Sequence, residues 1–278
     1  MFPQLGSQYQ FIKEAGRGGT GVVNLAIDTH SGHPVAVKSL FTSILDINPE
    51  MLDKFKIEAN IYLMLAHPNI VKLKNFIMHE GIHLVMEYMD GQTLDEYISN
   101  FNGPIPTEVS VAMMKEIVSA IGYAHKKRIA IEGYTGVLHL DIKPENILIS
   151  EEGEIKVIDY GISQGADQDR GEKIMGSRMY MTPEQLDINC ELNAQTDIYA
   201  LGVLLHQMIT GDTPYARTAS QDELFEAIKN KPLKRIADIC PSADKRLQQV
   251  IDKATKKYPH NRYKDCDELL EALEKINI

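Results

Sequence analysis

The sequence is poor in cysteine and has no long apolar run. Its three cysteines, Cys190, Cys240 and Cys266, lie far apart and form no C-x-x-C pair. Neither a disulfide framework nor a cysteine-ligated zinc site is therefore indicated, and a reducing compartment fits. No stretch reaches the apolar length of a membrane span, and the first residues do not have the pattern of a signal peptide. We expect a soluble, cytoplasmic protein that does not associate with a membrane.

The sequence also contains fewer basic than acidic residues. The 278 residues include 29 Lys and Arg against 39 Asp and Glu, which gives a formal net charge of -10. A chain that binds nucleic acid over its surface is expected to be basic, so we expect no nucleic-acid partner, and plain solubility explains most of the acidity. With 44% hydrophobic and 24% charged residues, the composition is that of an ordinary globular protein, and the length allows one or two domains.

The sequence does contain a clear change of periodicity near residue 90. Before it, residues alternate as in strands, around one helical patch at about residues 49–65. After Gly91 the helical period takes over, beginning with a long amphipathic helix that Thr107 would cap. This order predicts an α+β fold of two lobes, with a boundary near residues 88–91 and a cleft where the lobes meet. The predicted strands are 9–13, 22–27, 34–40, 71–78 and 82–86, and the later helices are 107–125, 194–210, 221–229, 243–256 and 265–276.

The run from His139 to Asn146, followed by Asp159-Tyr-Gly, carries the residue types that phosphoryl transfer needs. Asp141 can accept a proton from a hydroxyl group, and Lys143 can neutralise a phosphoryl oxygen. Asn146 and Asp159 offer the hard oxygen ligands that Mg²⁺ prefers. The run therefore indicates phosphoryl-transfer chemistry.

The order Asp-x-Lys-Pro-x-Asn and then Asp-Tyr-Gly resembles the catalytic and metal loops of the eukaryote-type protein kinases, in their Ser/Thr form. The compact chain is similar to the eukaryote-like Ser/Thr kinases of bacteria. The resemblance implies a bilobal fold and a single catalytic domain over residues 1–278. Its N-lobe, about 1–88, would be an antiparallel sheet plus one helix, and its C-lobe, about 91–278, would be mainly helical.

The same resemblance implies an activity and its cofactors. The chain would transfer the γ-phosphoryl group of ATP to Ser or Thr hydroxyls of protein substrates, with Mg²⁺ as the metal ion and Mn²⁺ as the alternative. Asp141 and Lys143 would then be catalytic. Asn146 and Asp159 would hold the metal ion.

The segment Gly16-Arg-Gly18-Gly-Thr-Gly21 is a candidate phosphate-binding loop. A lone G-x-G-x-x-G would equally suggest a dinucleotide fold, but a helix begins there in that fold, whereas a strand pattern follows here. Val22 stands where a Walker loop requires Lys. A glycine turn between two strands can bring its N–H groups close to a triphosphate. A glycine hairpin without a ligand remains the alternative until the next motif is considered.

That motif is Lys38, which ends an apolar strand. It lies at the spacing from the glycine loop at which kinases place the Lys that holds the α- and β-phosphates. Such a Lys needs a carboxylate to fix its position. Glu58, on the first predicted helix, occupies the family's position for this partner, and Asp53 and Glu50 are less well placed. The resemblance thus adds Lys38 and Glu58 to the catalytic set.

The stretch from Leu84 to Gly91 resembles the strand and hinge with which kinases bind adenine. By that resemblance, backbone groups of Glu87 and Met89 bond to the base and Met86 stands behind it. An edge strand and turn between lobes is the plainer alternative, and both can hold because hinge recognition uses backbone groups. The apolar walls of the pocket would come from Val23, Ala36 and Leu148.

Residues 176–184 are similar to the substrate-facing loop and its closing A-P-E motif, with Thr182 in place of Ala. The resemblance implies scaffold residues here and no further chemistry. These are Ser177, which bonds the loop to the catalytic run; Glu184 and Arg262, which form a buried ion pair; Asp197, which accepts hydrogen bonds from the catalytic-loop backbone; and His139, a packed residue and not a base.

One residue of the catalytic run departs from the family, because Leu140 stands where most members have Arg. In those members the Arg pairs with a phosphate on the activation loop. Without the phosphate its charge is unpaired, and the enzyme is inactive. Leu140 can form no such pair, and residues 162–178 contain no Thr, only Ser163 and Ser177. We therefore expect a kinase that does not need activation-loop phosphorylation. Tyr160 replaces the usual Phe and should still pack.

A second departure is the segment Lys126–Gly136, which the family usually crosses in a few residues. A surface insertion explains it most simply, and a partner or substrate contact is the alternative. Two other function classes also remain: a pseudokinase or nucleotide-binding scaffold, and a small-molecule phosphotransferase. The filled catalytic positions argue against the first, and Lys143 argues against the second. The sequence does not specify the physiological substrate, the activating signal or the oligomeric state.

Overall fold

The computed structural model describes residues 4–5, 7–17, 21–40, 50–79, 81–101, 104–127, 136–160, 164–165, 178–215, 220–241 and 243–276. These residues form eleven strands: β1 (Gln4–Leu5), β2 (Tyr9–Arg17), β3 (Gly21–Asp28), β4 (Pro34–Leu40), β5 (Leu73–Ile77), β6 (His83–Glu87), β7 (Gly91–Thr93), β8 (Val137–Leu138), β9 (Ile147–Ser150), β10 (Ile155–Val157) and β11 (Gln164–Gly165). They also form seven α-helices: α1 (Glu50–Met64), α2 (Leu94–Asn100), α3 (Thr107–Lys126), α4 (Ala194–Thr210), α5 (Gln221–Asn230), α6 (Lys245–Ala254) and α7 (Cys266–Glu274). The chain divides into two units, Met1–Gly91 and Gln92–Ile278.

The first unit is built on an antiparallel sheet whose strands run in the order β1-β2-β3-β4-β6-β5. Apolar residues at alternate positions produce these strands, because successive side chains point to opposite faces of a sheet. All five strands predicted for this part are present, and β2 continues past its predicted end to Arg17. The helix predicted at 49–65 is α1. One face of the sheet carries the core cluster of Leu5, Tyr9, Ala26, Val35, Val37 and Val85.

The second unit is mainly helical, and α4 lies at its centre. Every residue of α4 from Thr196 to Thr210 is buried. The Asn193 side chain caps its start by accepting a hydrogen bond from the Gln195 N–H group at 2.9 Å. The helix ends at Gly211, whose φ of 76° is the left-handed conformation that favours glycine. Helices α3, α6 and α7 pack against it, so the buried helix predicted at 194–210 is confirmed.

Short strands hold the segment that contains the candidate catalytic run. β9 pairs with β10 and β7, and β8 pairs with β11. The run leaves β8 at Leu138 and passes through a 3-10 turn, Pro144–Asn146, before it enters β9. Strand pairing therefore fixes the chain on both sides of the run.

The starts of two helices and the cap of a third differ from the sequence predictions. Thr107 is not a cap, because the carbonyl of Pro106 already accepts the Ser110 N–H group at 2.9 Å, so the helix begins at Thr107 itself. Helices α6 and α7 start later than predicted, since Asp244 and Asp265 act as N-caps and stand outside the helix. A capping side chain sets the first helical residue more sharply than hydrophobic periodicity does.

The described residues give an α+β fold, as the sequence predicts. The first unit combines an antiparallel sheet with one helix, and the second is mainly helical with short strands. Among the helices in these ranges, none combines the length and the apolar character that crossing a membrane requires.

Candidate active site

The candidate residues occur in both units. In the first unit, Lys38 on β4 and Glu58 on α1 form an ion pair, with 2.7 Å between Lys38 Nζ and Glu58 Oε1. Glu58 is only 2% exposed. Asp53, one of the competing carboxylates, is exposed and contacts Lys56 instead. The pairing predicted for Lys38 is present, and the ammonium group is held in a defined position.

The register of the sheet brings the other first-unit candidates to the same face as Lys38. Val23 is the cross-strand partner of Lys38, and Ala36 is the partner of Met86. Directly paired residues share a face, as do residues two apart on one strand. Val23, Ala36, Lys38 and Met86 therefore line one face, while the core cluster lies on the other.

The glycines of the candidate loop have different roles. A side chain on Gly21 would collide with the backbone carbonyl of Ser39, so close pairing of β3 with β4 requires glycine there. Around Gly16, a side chain would meet no atom within 4 Å. Gly18 lies outside the described residues. Strand packing therefore explains Gly21. A phosphate-binding role for the motif rests on Gly16 and Gly18.

The segment predicted to bind adenine follows β6. The Glu87 N–H group donates to the Lys72 carbonyl at 2.9 Å, and the Glu87 carboxylate accepts the Lys72 N–H group at 2.9 Å. The Glu87 N–H group is thus already engaged, so a base would have to bond to the Glu87 carbonyl. Met89 is half-buried, and so is Leu148 on β9 of the second unit.

In the second unit, the Asp141 carboxylate is held by two neighbours in its own run. Its Oδ2 lies 2.9 Å from Lys143 Nζ and accepts a hydrogen bond from Asn146 Nδ2 at 3.2 Å. Asn146 Nδ2 also donates to the Asp141 carbonyl at 2.9 Å. The side chains of Asp141 and Lys143 are 13% and 22% exposed. Three of the predicted residues are thus in direct contact, with the carboxylate partly open to solvent.

Asn146 and Asp159 suit the magnesium ion that the fold family implies. Both hydrogen bonds of the Asn146 amide described above use Nδ2, and Oδ1 takes part in neither. Asp159 has a left-handed backbone, with φ 63°, at the turn after β10. Among the described residues, no three His, Cys, Asp or Glu side chains cluster as a metal site. A site with few protein ligands fits Mg²⁺, which is commonly held by one or two carboxylates together with phosphate oxygens and water.

His139 is a structural residue, as predicted. Its Nε2 lies 3.1 Å from the Ile158 carbonyl, and its Nδ1 accepts the Asp141 N–H group at 3.3 Å. The proton therefore sits on Nε2, and both ring nitrogens are engaged. The ring packs on the buried Tyr160 with 4.6 Å between centroids, so Tyr160 does pack at the usual Phe position. His139 orients the loop and has no free nitrogen for a base.

Asp197 at the start of α4 accepts hydrogen bonds from the catalytic-loop backbone, as predicted. Its two oxygens receive the N–H groups of His139 and Leu140, each at 2.8 Å. The sequence did not indicate His125, whose Nε2 lies 2.8 Å from the same carboxylate. The Sγ of Cys266 lies 3.7 Å from His125 Nδ1. Three helices, α3, α4 and α7, thus contribute side chains to one buried network beneath the loop.

This network perturbs its ionisable groups. Burial alone would lower the pKa of His125, but the charges and hydrogen bonds of Cys266 and Asp197 outweigh it and raise that pKa to about 10. For Asp197, burial works to raise the pKa, yet His125 and the loop amides lower it below its usual value. The stable arrangement is therefore an imidazolium next to a carboxylate.

The closing motif is anchored by the predicted ion pair. Arg262 contacts Glu184 with both terminal nitrogens, at 2.6 Å and 2.8 Å. Arg262 is 3% exposed and Glu184 5%. Further bonds from Arg262 go to the backbone carbonyls of Lys256, Lys257 and Gln195. The bidentate pair is confirmed, and it fixes the 3-10 turn Pro183–Leu186 in the second unit.

Several predicted features lie outside the described residues. They are Gly18, Ser163, Ser177 and residues 128–135 of the proposed insertion. Besides His125 and Cys266, one residue inside the described part was missed: Gln185, which follows Glu184 and contacts the catalytic run. The local pattern Thr182-x-x-Gln185 is that of a capping box, and it was the one signal in the sequence that could have drawn attention to it.

The sequence matches known proteins over most of its length. The protein kinase domain pattern matches residues 9–273. A probable serine/threonine-protein kinase of Clostridium perfringens is 34% identical over 278 residues, covering 98% of this chain and 38% of the relative. The serine/threonine-protein kinase PrkC of Bacillus subtilis is 34% identical over 271 residues, covering 96% of this chain and 40% of the relative.

The mycobacterial relatives are more distant. The serine/threonine-protein kinase PknB of Mycobacterium leprae is 29% identical over 287 residues, covering 99% of this chain and 44% of the relative. This chain thus spans less than half the length of these curated relatives. The match nevertheless extends over nearly the whole chain, and the residues at its centre have the contacts described above. The chain belongs to the protein kinase family and is similar to the eukaryote-like Ser/Thr protein kinases of bacteria.

Proposed function

We propose that this chain is an ATP-dependent protein kinase that transfers the γ-phosphoryl group of ATP to Ser or Thr hydroxyls of protein substrates. The observation that carries the proposal is the Asp141 carboxylate, one oxygen of which contacts both Lys143 and Asn146. Phosphoryl transfer depends mainly on positioning and on stabilisation of charge. A carboxylate of fixed direction next to a fixed cation can supply both.

In the proposed mechanism, Asp141 orients the substrate hydroxyl group and accepts its proton. The ammonium group of Lys143, 2.9 Å from Asp141 Oδ2, can also reach toward an oxygen of the transferred group and offset its negative charge. Because both side chains are partly exposed, they can meet a substrate that approaches from solvent. These roles follow from the chemistry of the two groups and stay proposals.

The remaining site residues bind the nucleotide and the metal ion. Lys38, held by Glu58 at 2.7 Å, would contact the α- and β-phosphates, and the glycine loop would lie over them. Asn146 and Asp159 would hold Mg²⁺, or Mn²⁺ in its place, and the bound ion would neutralise charge on the phosphates. We propose that both units, residues 1–278, form the catalytic domain. We also propose the cytoplasm as its location, in keeping with the absence of a disulfide among the three cysteines.

The proposal is tested by incubation with labelled ATP, Mg²⁺ and a protein substrate, comparing the wild type with Asp141→Asn. Loss of the carboxylate should lower the rate by roughly 10²–10⁴-fold without loss of nucleotide binding. Phosphoamino-acid analysis should give phosphoserine or phosphothreonine. Asp238→Asn, which changes an exposed aspartate in another 3-10 turn, is the matched control and should leave the rate unchanged.

The same experiment separates the competing functions. Nucleotide binding without any transfer by the wild type would show a pseudokinase. Transfer to small-molecule acceptors but to no protein would show a small-molecule phosphotransferase. Wild-type activity that survives Asp141→Asn would contradict the role proposed for this carboxylate.

We further propose that activity does not depend on a phosphate on the activation loop. Where most of the family has an Arg, the Leu140 side chain is 4% exposed and packs with Leu138 and Leu192. Asp197 holds the backbone of the same residue. Apolar packing and a carboxylate in α4 thus position the catalytic run. Position 140 carries no cation that would need a phosphate as its partner.

A further inference from the structure

The peptide groups of Leu140 are held by two side chains from different segments. Its N–H group donates to Asp197 Oδ1 at 2.8 Å, and its carbonyl accepts a hydrogen bond from Gln185 Nε2 at 3.1 Å. Leu140 has a φ of 65°, a conformation that a branched side chain adopts only when its surroundings enforce it. It directly precedes Asp141, the residue proposed to meet the substrate hydroxyl.

The amide group of Gln185 can act in only one orientation. Gln185 Oε1 accepts the Thr182 N–H group at 3.0 Å, while Nε2 donates to Leu140. Exchange of the amide oxygen and nitrogen would place an oxygen against the Leu140 carbonyl and an N–H group against the Thr182 N–H group. Gln185 is 2% exposed, so water does not replace these partners. Both the oxygen and the nitrogen of the Gln185 amide are therefore hydrogen-bonded.

These contacts connect the substrate-side anchor with the catalytic run. Thr182 and Gln185 cap the 3-10 turn that the Glu184–Arg262 pair fixes. The Leu140 carbonyl belongs to the planar peptide that leads to the Cα of Asp141, so rotation of this peptide would swing the Asp141 side chain. Two side chains restrain this peptide: Gln185 donates to its carbonyl, and His139 Nδ1 accepts its N–H group, that of Asp141, at 3.3 Å.

We propose that Gln185 is a positioning residue for Asp141. It holds the Leu140–Asp141 peptide through the Leu140 carbonyl and makes the direction of the Asp141 carboxylate depend on the anchored turn at 182–186. The inference rests on the function proposed above for Asp141, and it names a residue through which the substrate-side anchor acts on the catalytic run.

The decisive variant is Gln185→Glu. It keeps the length of the side chain and the oxygen that accepts the Thr182 N–H group, but it sets an oxygen in place of the donor to Leu140. Gln185→Met removes both bonds and keeps the volume. The matched control is Gln248→Met, because Gln248 on α6 is also buried and also uses both ends of its amide, with Ile236 N–H and Asp252 at 2.7 Å each.

Two measurements test the proposal, and the first does not depend on activity. Hydrogen exchange of the backbone amides in residues 139–141 should become about 10-fold faster or more in both Gln185 variants, since the peptide loses one of its two restraints. In Gln248→Met it should match the wild type. An unchanged exchange rate in Gln185→Glu would overturn the proposal that Gln185 restrains this peptide, whatever the activity of the wild type.

The second measurement separates positioning from a general loss of stability. In Gln185→Glu, kcat for a peptide substrate should fall by roughly 10–100-fold, because small misplacements of a reacting group cost that much, while KM for ATP stays within about twofold. Gln248→Met should keep kcat within about twofold of the wild type. Faster exchange with an unchanged kcat would overturn the role in positioning Asp141, and a wild type without transfer would contradict the proposed function alone.

Discussion

Leu140 combines a left-handed backbone with a buried branched side chain. For a residue with a Cβ, this conformation costs roughly 1–2 kcal/mol. The hydrogen bonds of the Leu140 N–H and carbonyl groups, together with the packing against Leu138 and Leu192, offset that cost. The position is thus specified for an apolar side chain, and it carries no cation.

The first prediction at this scale concerns control of activity. Phosphatase treatment, or Ser163→Ala, should leave the rate of peptide phosphorylation within about twofold, because no charge at position 140 needs a phosphate partner. The rate is measured with labelled ATP before and after treatment, with mass spectrometry to show that phosphate has been removed. A loss of activity in protein that remains folded would contradict the prediction.

A variant at the same position provides the comparison. Leu140→Met keeps an apolar side chain of similar volume and should keep activity. Leu140→Arg would bring a guanidinium group among leucines, where burial of an unpaired charge is strongly unfavourable. We expect Leu140→Arg to be less active than Leu140→Met, with or without phosphate on the loop.

Single residues show clearly what the sequence could and could not indicate. Glu58 was identified as the partner of Lys38 because the resemblance places that partner at its position, and the 2.7 Å contact is present. Gln185 was missed because its contact with Leu140 joins residues 45 positions apart. No local pattern indicates such a contact; it depends on how the 3-10 turn meets the loop after folding.

Among the elements, the 3-10 turn Pro183–Leu186 depends on a distant ion pair. The guanidinium group of Arg262 is fully buried and bidentate on Glu184. Removal of one partner from a buried pair leaves an uncompensated charge and typically costs about 3–5 kcal/mol. The turn carries Gln185, so its stability bears on the catalytic run as well.

We therefore predict that Arg262→Lys destabilises the protein by roughly 2 kcal/mol, because a lysine ammonium group keeps the charge opposite Glu184 but cannot form the two parallel bonds. The free energy of unfolding from a denaturant titration is the measurement. The control is Arg246→Lys on α6, whose pair with Asp244 is exposed to solvent, and it should change stability little. Equal losses in the two variants would contradict the distinction between the buried pair and the exposed one.

Element types were predicted well and element ends less well. The buried helix α4 was predicted with its ends, because a long apolar run and Gly211 both mark it. The first residue of α3 was predicted correctly but its cap was not, since Pro106 provides the first helical carbonyl and Thr107 looked like a cap. Periodicity shows which face is buried, whereas the ends depend on single hydrogen bonds.

For the whole molecule, the sequence predicted an α+β chain with strands first and helices after, because periodicity changes once, near residue 90. The division after Gly91 follows the same change. The bonds of Asp197 to the catalytic-loop backbone were predicted from the resemblance, but its contact with His125 and the contact of His125 with Cys266 were not. These three residues come from helices that are distant in sequence, and His125 and Cys266 alone looked like ordinary helical residues.

This network makes global stability depend on pH. The pKa of His125 is raised from 6.5 to about 10 in the folded protein, so its contribution is complete below pH 6.5 and is lost as the pH rises toward 10. Asp197 has a lowered pKa, so its contribution is present above its ordinary value of 3.8 and is lost as the pH falls through the folded value. Above neutral pH, only the His125 contribution of this pair changes.

We predict that the free energy of unfolding of the wild type loses part of its His125 contribution between pH 7 and pH 9, and that His125→Gln removes this slope. Glutamine can still donate to Asp197 but does not titrate. Lys257, whose pKa is lowered to about 8 by burial and by the charge of Arg262, gives a slope of opposite sign that both proteins share. The difference between the two denaturant titrations therefore isolates His125. His33→Gln, which changes an exposed histidine, should keep the wild-type slope, and a His125→Gln slope equal to that of the wild type would show that His125 is not charged in the folded protein.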